Sequence, residues 1–168
     1  PMSKNLLKKN LDLKIFSRTI EKAKPLEKFG GKVINSLSET VIESDIIFTM
    51  LTDDDAVEKV LGNKDFLKNL KPSSTVIDMS SIKPKIAIKF GKLFNENNIN
   101  FLDAPVSGGT IGAEEASLAI MVGGDQKIFD NVVDVLKIMG NPTLVGPIGS
   151  GQVSKLANQI IVGVTIGA

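Results

Sequence analysis

The sequence predicts an α/β domain, a doubly wound and mainly parallel sheet with helices on both faces. Three observations carry that expectation. Short apolar runs alternate with segments of helical periodicity along the whole chain. One run, "DIIFTML" (45–51), is apolar on both faces, as strands of a covered parallel sheet are. A chain of 168 residues with 42% hydrophobic content can bury one such core.

The elements follow in order. Met2, Leu6 and Leu7 give one face to a short helix that Asn10 can end, and "LDLKIF" (11–16) alternates as a strand does. "TIEKAKPLEKFGG" (19–31) reads as a helix closed by Gly30 and Gly31, "KVIN" (32–35) as a short strand and "SLSETVIES" (36–44) as a short helix. After "DIIFTML", "DDDAVEKVLG" (53–62) opens a helix with acids in its first turn, where the helix dipole favours them. "STVIDMS" (74–80) is a buried strand, and Lys83–Asn97 is a helix with Ile86, Ala87, Phe90, Leu93 and Phe94 on one face. "INFLD" (99–103) is a strand, "DAPVSGGTIGAEEA" (103–116) a glycine-rich loop, and "SLAIMVGG" (117–124) a strand. A helix around Ile128–Leu136, a strand "PTLVG" (142–146) and a final helix entered through "PIGSG" complete the chain.

Composition removes whole classes of chemistry. There is no Cys, His or Tyr, which excludes disulfides, thiolate metal sites, imidazole bases and Tyr–Lys proton donors. Proton transfer within this chain falls to Lys, Asp, Glu or bound water. The 20 basic and 19 acidic residues are dispersed, so no basic face invites nucleic acid, and no run is long enough for a membrane span. Cytosol is the default compartment. The first residues, "PMSKNLLKKN", read as mid-helix, and "KLANQIIVGVTIGA" stops within a helical pattern with no cap. The expectation is a chain truncated at both ends, with apolar helix faces left open to self-association.

In a doubly wound sheet, ligands bind outside the carboxyl ends of the strands. Here those ends carry "SRT" (17–19), "MLTDDD" (50–55), "MSS" (79–81) and "DAPVSGG" (103–109). An Arg after the second strand accommodates a ribose 2′-phosphate, so Ser17, Arg18 and Thr19 favour NADP(H) over NAD(H) at the adenosine end. The other reading is a solvated Arg capping the sheet edge. "MLTDDD" reads as helix capping and not as a metal site, because consecutive carboxylates at a helix start diverge. Gly108 and Gly109 allow close backbone approach, and successive N–H groups of such a turn can converge on an anion. Lys155 shares a helix face with Asn158 and Gln159, three and four residues on, among apolar neighbours. Such a lysine either snorkels to solvent or is desolvated into the useful pKa range.

"PMSKNLL", "DMSSI", "DAPVSGG..GA", "MVGG" and "GSGQVSKLANQ" together resemble the β-hydroxyacid dehydrogenases, which include 3-hydroxyisobutyrate dehydrogenase and tartronate semialdehyde reductase. The motifs run in order along essentially the whole chain. The resemblance implies a partial Rossmann-type NAD(P)-binding domain over residues 1–148, lacking its first strand and glycine loop. It also implies the start of a long interdomain helix over 149–168, with a helical C-terminal domain and homo-oligomerisation in the intact enzyme. It assigns Lys155 as general acid in reduction, and Ser107, Gly108, Gly109, Asn158 and Gln159 as binders of a small carboxylate-bearing substrate. Leu51, Thr52 and Ser81 would line the nicotinamide half of the cleft, opposite Ser17, Arg18 and Thr19; no metal is expected. "KLANQ" is more like the tartronate semialdehyde reductases, since hydroxyisobutyrate dehydrogenases tend to carry Asn at the position of Gln159. Tartronate semialdehyde reduction is the first choice; 3-hydroxyisobutyrate dehydrogenation, glyoxylate or succinic semialdehyde reduction, and a non-catalytic dehydrogenase-like binding module are the alternatives. Thr52 replaces a proline of the family pattern and Ala116 a glycine. Without a glycine loop, the 168-residue chain alone is expected to be inactive.

Overall fold

A computed structural model describes residues 1–167, with side-chain surroundings as far as residue 165. Helix α1 (Met2–Lys8) leads to β1 (Lys14–Ile15), two 3-10 turns (Ile20–Lys22 and Lys24–Phe29), β2 (Lys32–Val33) and α2 (Leu37–Thr40). Then come β3 (Ile46–Thr49), α3 (Asp54–Leu61), α4 (Lys64–Asn69), β4 (Thr75–Asp78), α5 (Pro84–Glu96) and β5 (Asn100–Asp103). The last third holds β6 (Val106–Ser107), α6 (Gly109–Glu115), β7 (Leu118–Gly123), α7 (Gln126–Lys137), β8 (Gly140–Gly146) and α8 (Ser150–Gly167).

Strands β3, β4 and β5 pair in parallel, with Thr49, Asp78 and Asp103 aligned at their carboxyl ends. Strand β7 continues the sheet and pairs in parallel with β8. It runs antiparallel to β5 and β6, which lie along the same edge of it. That reversal has a simple cause: only residues 108–117 separate β6 from β7, fewer than a parallel crossover requires. Alternate residues feed the two faces. Val76 and Phe101 join Phe66, Phe90 and Phe94 under α3, α4 and α5. Ile77 and Leu102 join Leu118, Ile120, Phe129 and Leu136 under α7. The doubly wound, mainly parallel architecture is therefore as the sequence predicts.

Four local expectations are corrected. Residues 19–31 form 3-10 turns and not an α-helix, because Pro25 has no N–H and bars its predecessor from regular helix. The strand at 11–16 is paired over two residues only. Helix α4 was not expected; Asn63 caps it by accepting from Phe66 N at 2.9 Å, and Phe66 is fully buried. The glycine-rich loop at 103–116 contains β6 and α6, and Ala116 closes that helix in the left-handed region at φ 57°.

β1 and β2 form a parallel pair apart from the six-stranded sheet, and among the described residues no strand joins β1 to β3. A cavity of about 1410 Å³ occupies that gap and extends across the strand ends to α8.

Candidate active site

Two sides of this cavity carry groups that the sequence singles out. Ser17, Arg18 and Thr19 follow β1, and Leu51 and Thr52 follow β3. The same cavity is lined by Ser107, Gly108 and Gly109 from the β6–α6 turn, and by Lys155 and Gln159 from α8. Asn158 reaches the same place from behind, its Nδ2 donating to Ser107 Oγ at 3.1 Å. Ser81 is not brought in; it lines a separate shallow depression with Thr52 and Asp53–Asp55. The acids of that depression behave as helix-start groups. Asp53 caps α3 by accepting from Ala56 N at 2.8 Å, which holds its carboxyl below the usual range. Among the described residues no group of three acidic side chains is arranged to hold a metal.

Lys155 is buried, with 8% of its surface exposed, so the desolvated alternative is the one realised. Burial pushes its amine below the ordinary lysine value, since the charged form loses solvation. No carboxylate among the described residues pairs with it to offset that loss. A depressed, cavity-facing amine is a competent acid for a nearby oxygen and, once deprotonated, a base. The neighbouring turn suits an anion: Gly109 sits at φ 61°, with open space where a Cβ would be, and Gly108 and Gly109 are exposed.

Five buried polar residues to which the sequence analysis assigns no role hold this arrangement together. Asp103, at the end of β5, accepts from Gly149 N at 2.6 Å and from Gln152 N at 2.9 Å. Gln152 donates to Ser80 O at 2.8 Å and accepts from Ile82 N at 3.0 Å. Ser80 Oγ donates to Asp78 Oδ1 at 2.6 Å and accepts from Leu51 N at 2.9 Å. Thr49 Oγ1 also donates to Asp78 Oδ1, at 2.7 Å, whereas Asp78 Oδ2 is buried without a partner. Burial raises the Asp78 pKa against these hydrogen bonds, and it raises that of Asp103 to about 6. The available signal was an acid inside each of two apolar strands, "VIDMS" and "NFLD"; acids are rarely buried unless something satisfies them.

Residues 1–152 match the family described as the NAD binding domain of 6-phosphogluconate dehydrogenase. The chain belongs to this family. Its similar proteins are dehydrogenases and reductases of the β-hydroxyacid dehydrogenase group. It is 44% identical to 2-hydroxy-3-oxopropionate reductase of Escherichia coli over 148 residues, covering 87% of this chain and 51% of that protein. It is 36% identical to a probable 3-hydroxyisobutyrate dehydrogenase-like protein of Arabidopsis thaliana, covering 96% and 54% of the two chains. Among solved structures, Mycobacterium tuberculosis 3-hydroxyisobutyrate dehydrogenase with L-serine superposes with a TM-score of 0.93 at 33% identity. That superposition covers 98% of this chain and 56% of the other. The chain thus spans about half the length of the relatives it matches.

Membership of an NAD-binding family sets a test for the cleft. Arg18 is exposed and takes part in no salt bridge among the described residues, leaving its guanidinium available to a phosphate. Leu51 and Thr52 line the same cavity as Lys155. The residues present therefore fit a dinucleotide at its two ends. Between those ends no described residue supplies the glycine turn that cradles pyrophosphate at a helix start. No described helix is long and apolar enough to cross a membrane.

Proposed function

We propose that this chain is part of an NAD(P)-dependent oxidoreductase interconverting a small β-hydroxyacid and its semialdehyde or oxo acid. The observation that carries the reading is the buried Lys155 amine, in one cavity with the Ser107–Gly109 turn and on the helix that Asn158 ties to Ser107. Ser107 Oγ and the backbone of Gly108 and Gly109 hold the substrate carboxylate, and Asn158 and Gln159 orient its polar groups. The reduced nicotinamide, when bound, supplies a hydride to the carbonyl carbon. Lys155 gives its proton to the carbonyl oxygen, becomes a neutral amine and regains a proton from solvent; in oxidation it takes the hydroxyl proton. Desolvation helps both directions, because it brings the amine's pKa toward the working pH.

Leu51 and Thr52 line the nicotinamide half, with Ser81 at its margin, and Ser17, Arg18 and Thr19 take the adenosine end. Arg18 favours NADP(H), with NAD(H) the lesser alternative. Tartronate semialdehyde (2-hydroxy-3-oxopropionate) is the first choice of substrate, supported by the 44% identity to the Escherichia coli reductase. 3-Hydroxyisobutyrate is the second, supported by the superposition on the mycobacterial enzyme. The complete protein works in the cytosol as a homo-oligomer in this reading. A non-catalytic binding module is disfavoured by Lys155, since a scaffold has no use for a desolvated, unpaired amine.

The test is NADPH oxidation with each semialdehyde by the protein expressed from its full natural reading frame. Lys155→Met is expected to lose about two to four orders of magnitude in turnover, the range for general acid catalysis. It should retain cofactor binding measured by fluorescence. Equal turnover in the two proteins would refute the role of Lys155.

A further inference from the structure

Helix α8 has an unusual beginning. The residue before it is Gly149, which has no side chain to satisfy the first N–H groups, and a helix start leaves four such donors without partners. Two local carbonyls serve part of the need: Ser150 N reaches Pro147 O at 2.9 Å and Val153 N reaches Gly149 O at 3.1 Å. Gly149 N and Gln152 N instead find the two oxygens of Asp103, 46 and 49 residues earlier in the chain. The cap of this helix therefore comes from the main sheet, and it fixes where the helix stands as well as closing its first turn.

The joint is tight. A Cβ on Gly151 would meet Met121 O, Asp103 O at 2.8 Å and Asp103 Oδ2 at 2.8 Å, so the helix backbone lies directly on the ends of β5 and β7. Gln152 adds a second brace, to Ser80 O and Ile82 N of the β4–α5 turn. Lys155 follows Gln152 by three residues, about 4.5 Å along the helix axis. A small tilt at this first turn moves the Lys155 amine relative to Ser107, Gly108 and Gly109, which belong to a different element.

We propose that Asp103 is a positioning residue for Lys155: its carboxyl group pins the first turn of α8 to the end of β5, and so sets the amine in the cavity. Asp103 does not touch Lys155 by hydrogen bond or ion pair; it acts through the backbone of Gly149 and Gln152. The groups facing it are Asp78 from β4, Gly123 from β7 and the N–H groups of α8. An apolar side chain of similar size would fill the space and leave both helix donors buried and unsatisfied, which costs about 1–3 kcal/mol each. Asparagine can satisfy one donor but turns its own NH2 against the other.

The experiment reads Lys155 itself. Reductive methylation with ¹³C-formaldehyde labels the lysines of the protein expressed from its full natural reading frame, and the Lys155 signal is the one missing from Lys155→Arg. In Asp103→Asn the Lys155 pKa is expected to rise toward the ordinary lysine value, as the displaced amine regains solvent. Phe94→Ala, a core truncation in α5 that leaves the Asp103 bonds to Gly149 and Gln152 in place, should leave that titration where it was while lowering stability. A folded Asp103→Asn chain in which Lys155 titrates as in the parent overturns the proposal, and so does an equal shift in Phe94→Ala. If Asp103→Asn does not fold, Gly151→Ala replaces it, lifting α8 off an intact Asp103. The same rise is expected there, and an unchanged Lys155 in a folded Gly151→Ala chain overturns the proposal equally. The catalytic meaning of the placement rests on the reading of Lys155 as proton donor, but this titration needs neither substrate nor turnover. A Lys155 that moves in a protein found to be inactive would sink the functional reading and leave the positioning role standing.

Discussion

Asp103 also makes a prediction about stability. Its pKa is raised from 3.8 to about 6, with burial the largest cause, opposed by the N–H groups of Gly149 and Gln152. Between those two values the folded chain holds a proton that the unfolded chain has released. Stability from this group is therefore fully present below pH 3.8 and is lost as pH rises through about 6. A difference of a little over two pKa units corresponds to about 3 kcal/mol. Asp78 lies opposite Asp103 in register and its pKa is raised too, so part of the change belongs to the pair. Asp53 and Asp54 have lowered pKa values and act in the opposite sense, but they are common to the parent and any Asp103 variant. The measurement is urea unfolding of the parent and Asp103→Asn at intervals from pH 3.5 to 7.5. The difference in unfolding free energy should move by about 3 kcal/mol across this range, with the parent losing ground as pH rises. A difference that stays flat, or one that favours the parent at high pH, would mean that the helix N–H groups outweigh burial and that the carboxylate is stably ionised.

Three further outcomes test separate parts of the structure. Ala116 ends α6 at φ 57° and ψ 36°, where a Cβ is strained, so Ala116→Gly should raise stability by about 0.5–1 kcal/mol, seen as a higher melting temperature. Phe94 is fully buried and its ring lies 5.4 Å from that of Phe101; Phe94→Ala should cost about 3–5 kcal/mol in urea unfolding. Arg18→Gln should weaken binding of 2′,5′-ADP about tenfold by calorimetry while leaving 5′-AMP unchanged, the loss of one charge-assisted contact. Equal losses for both nucleotides would remove the basis for preferring NADP(H).

The legible parts of this fold are those governed by local pattern. Strands β3, β4 and β5 announce themselves because a strand covered on both sides must be apolar throughout, and α5 and α7 because their buried residues recur at helical spacing. What stayed hidden depends on partners distant in sequence. Nothing local says that β7 reverses direction, since that follows from how short the path through α6 is. Glycines at 108, 109 and 112 disguised α6, and Pro25 was outweighed by the apolar periodicity around it. At the site, Lys155, Asn158 and Ser107 stand together as the motif order implies, because "SKLANQ" lies on one helix. The resemblance groups Ser81 with Leu51 and Thr52, but Ser81 lines the depression at the α3 start and is not among the residues lining the cavity. Asp103, Gln152, Ser80 and Asp78 were passed over because each bonds to groups 29 to 72 residues away or to a turn whose shape the sequence does not display.

Those four residues also bear on why the site tolerates an unfavourable arrangement. Asp78 and Asp103 are fully buried side by side, and Asp78 leaves one oxygen without a partner. Carboxyl groups so placed reduce stability at neutral pH, because burial disfavours their charged forms. The arrangement does not serve compactness, which the apolar clusters on the two sheet faces already secure. It connects the turn after β3, through Ser80 and Gln152, to the foot of α8, and so relates both sides of the cavity to one set of strand ends. An apolar joint would leave the two helix donors without partners and the helix without a fixed register on the sheet. Hydrogen bonds have fixed lengths and directions, and a proton donor that must meet a carbonyl oxygen beside a hydride donor requires that definition. The buried acids are thus best understood through the geometry they impose on Lys155.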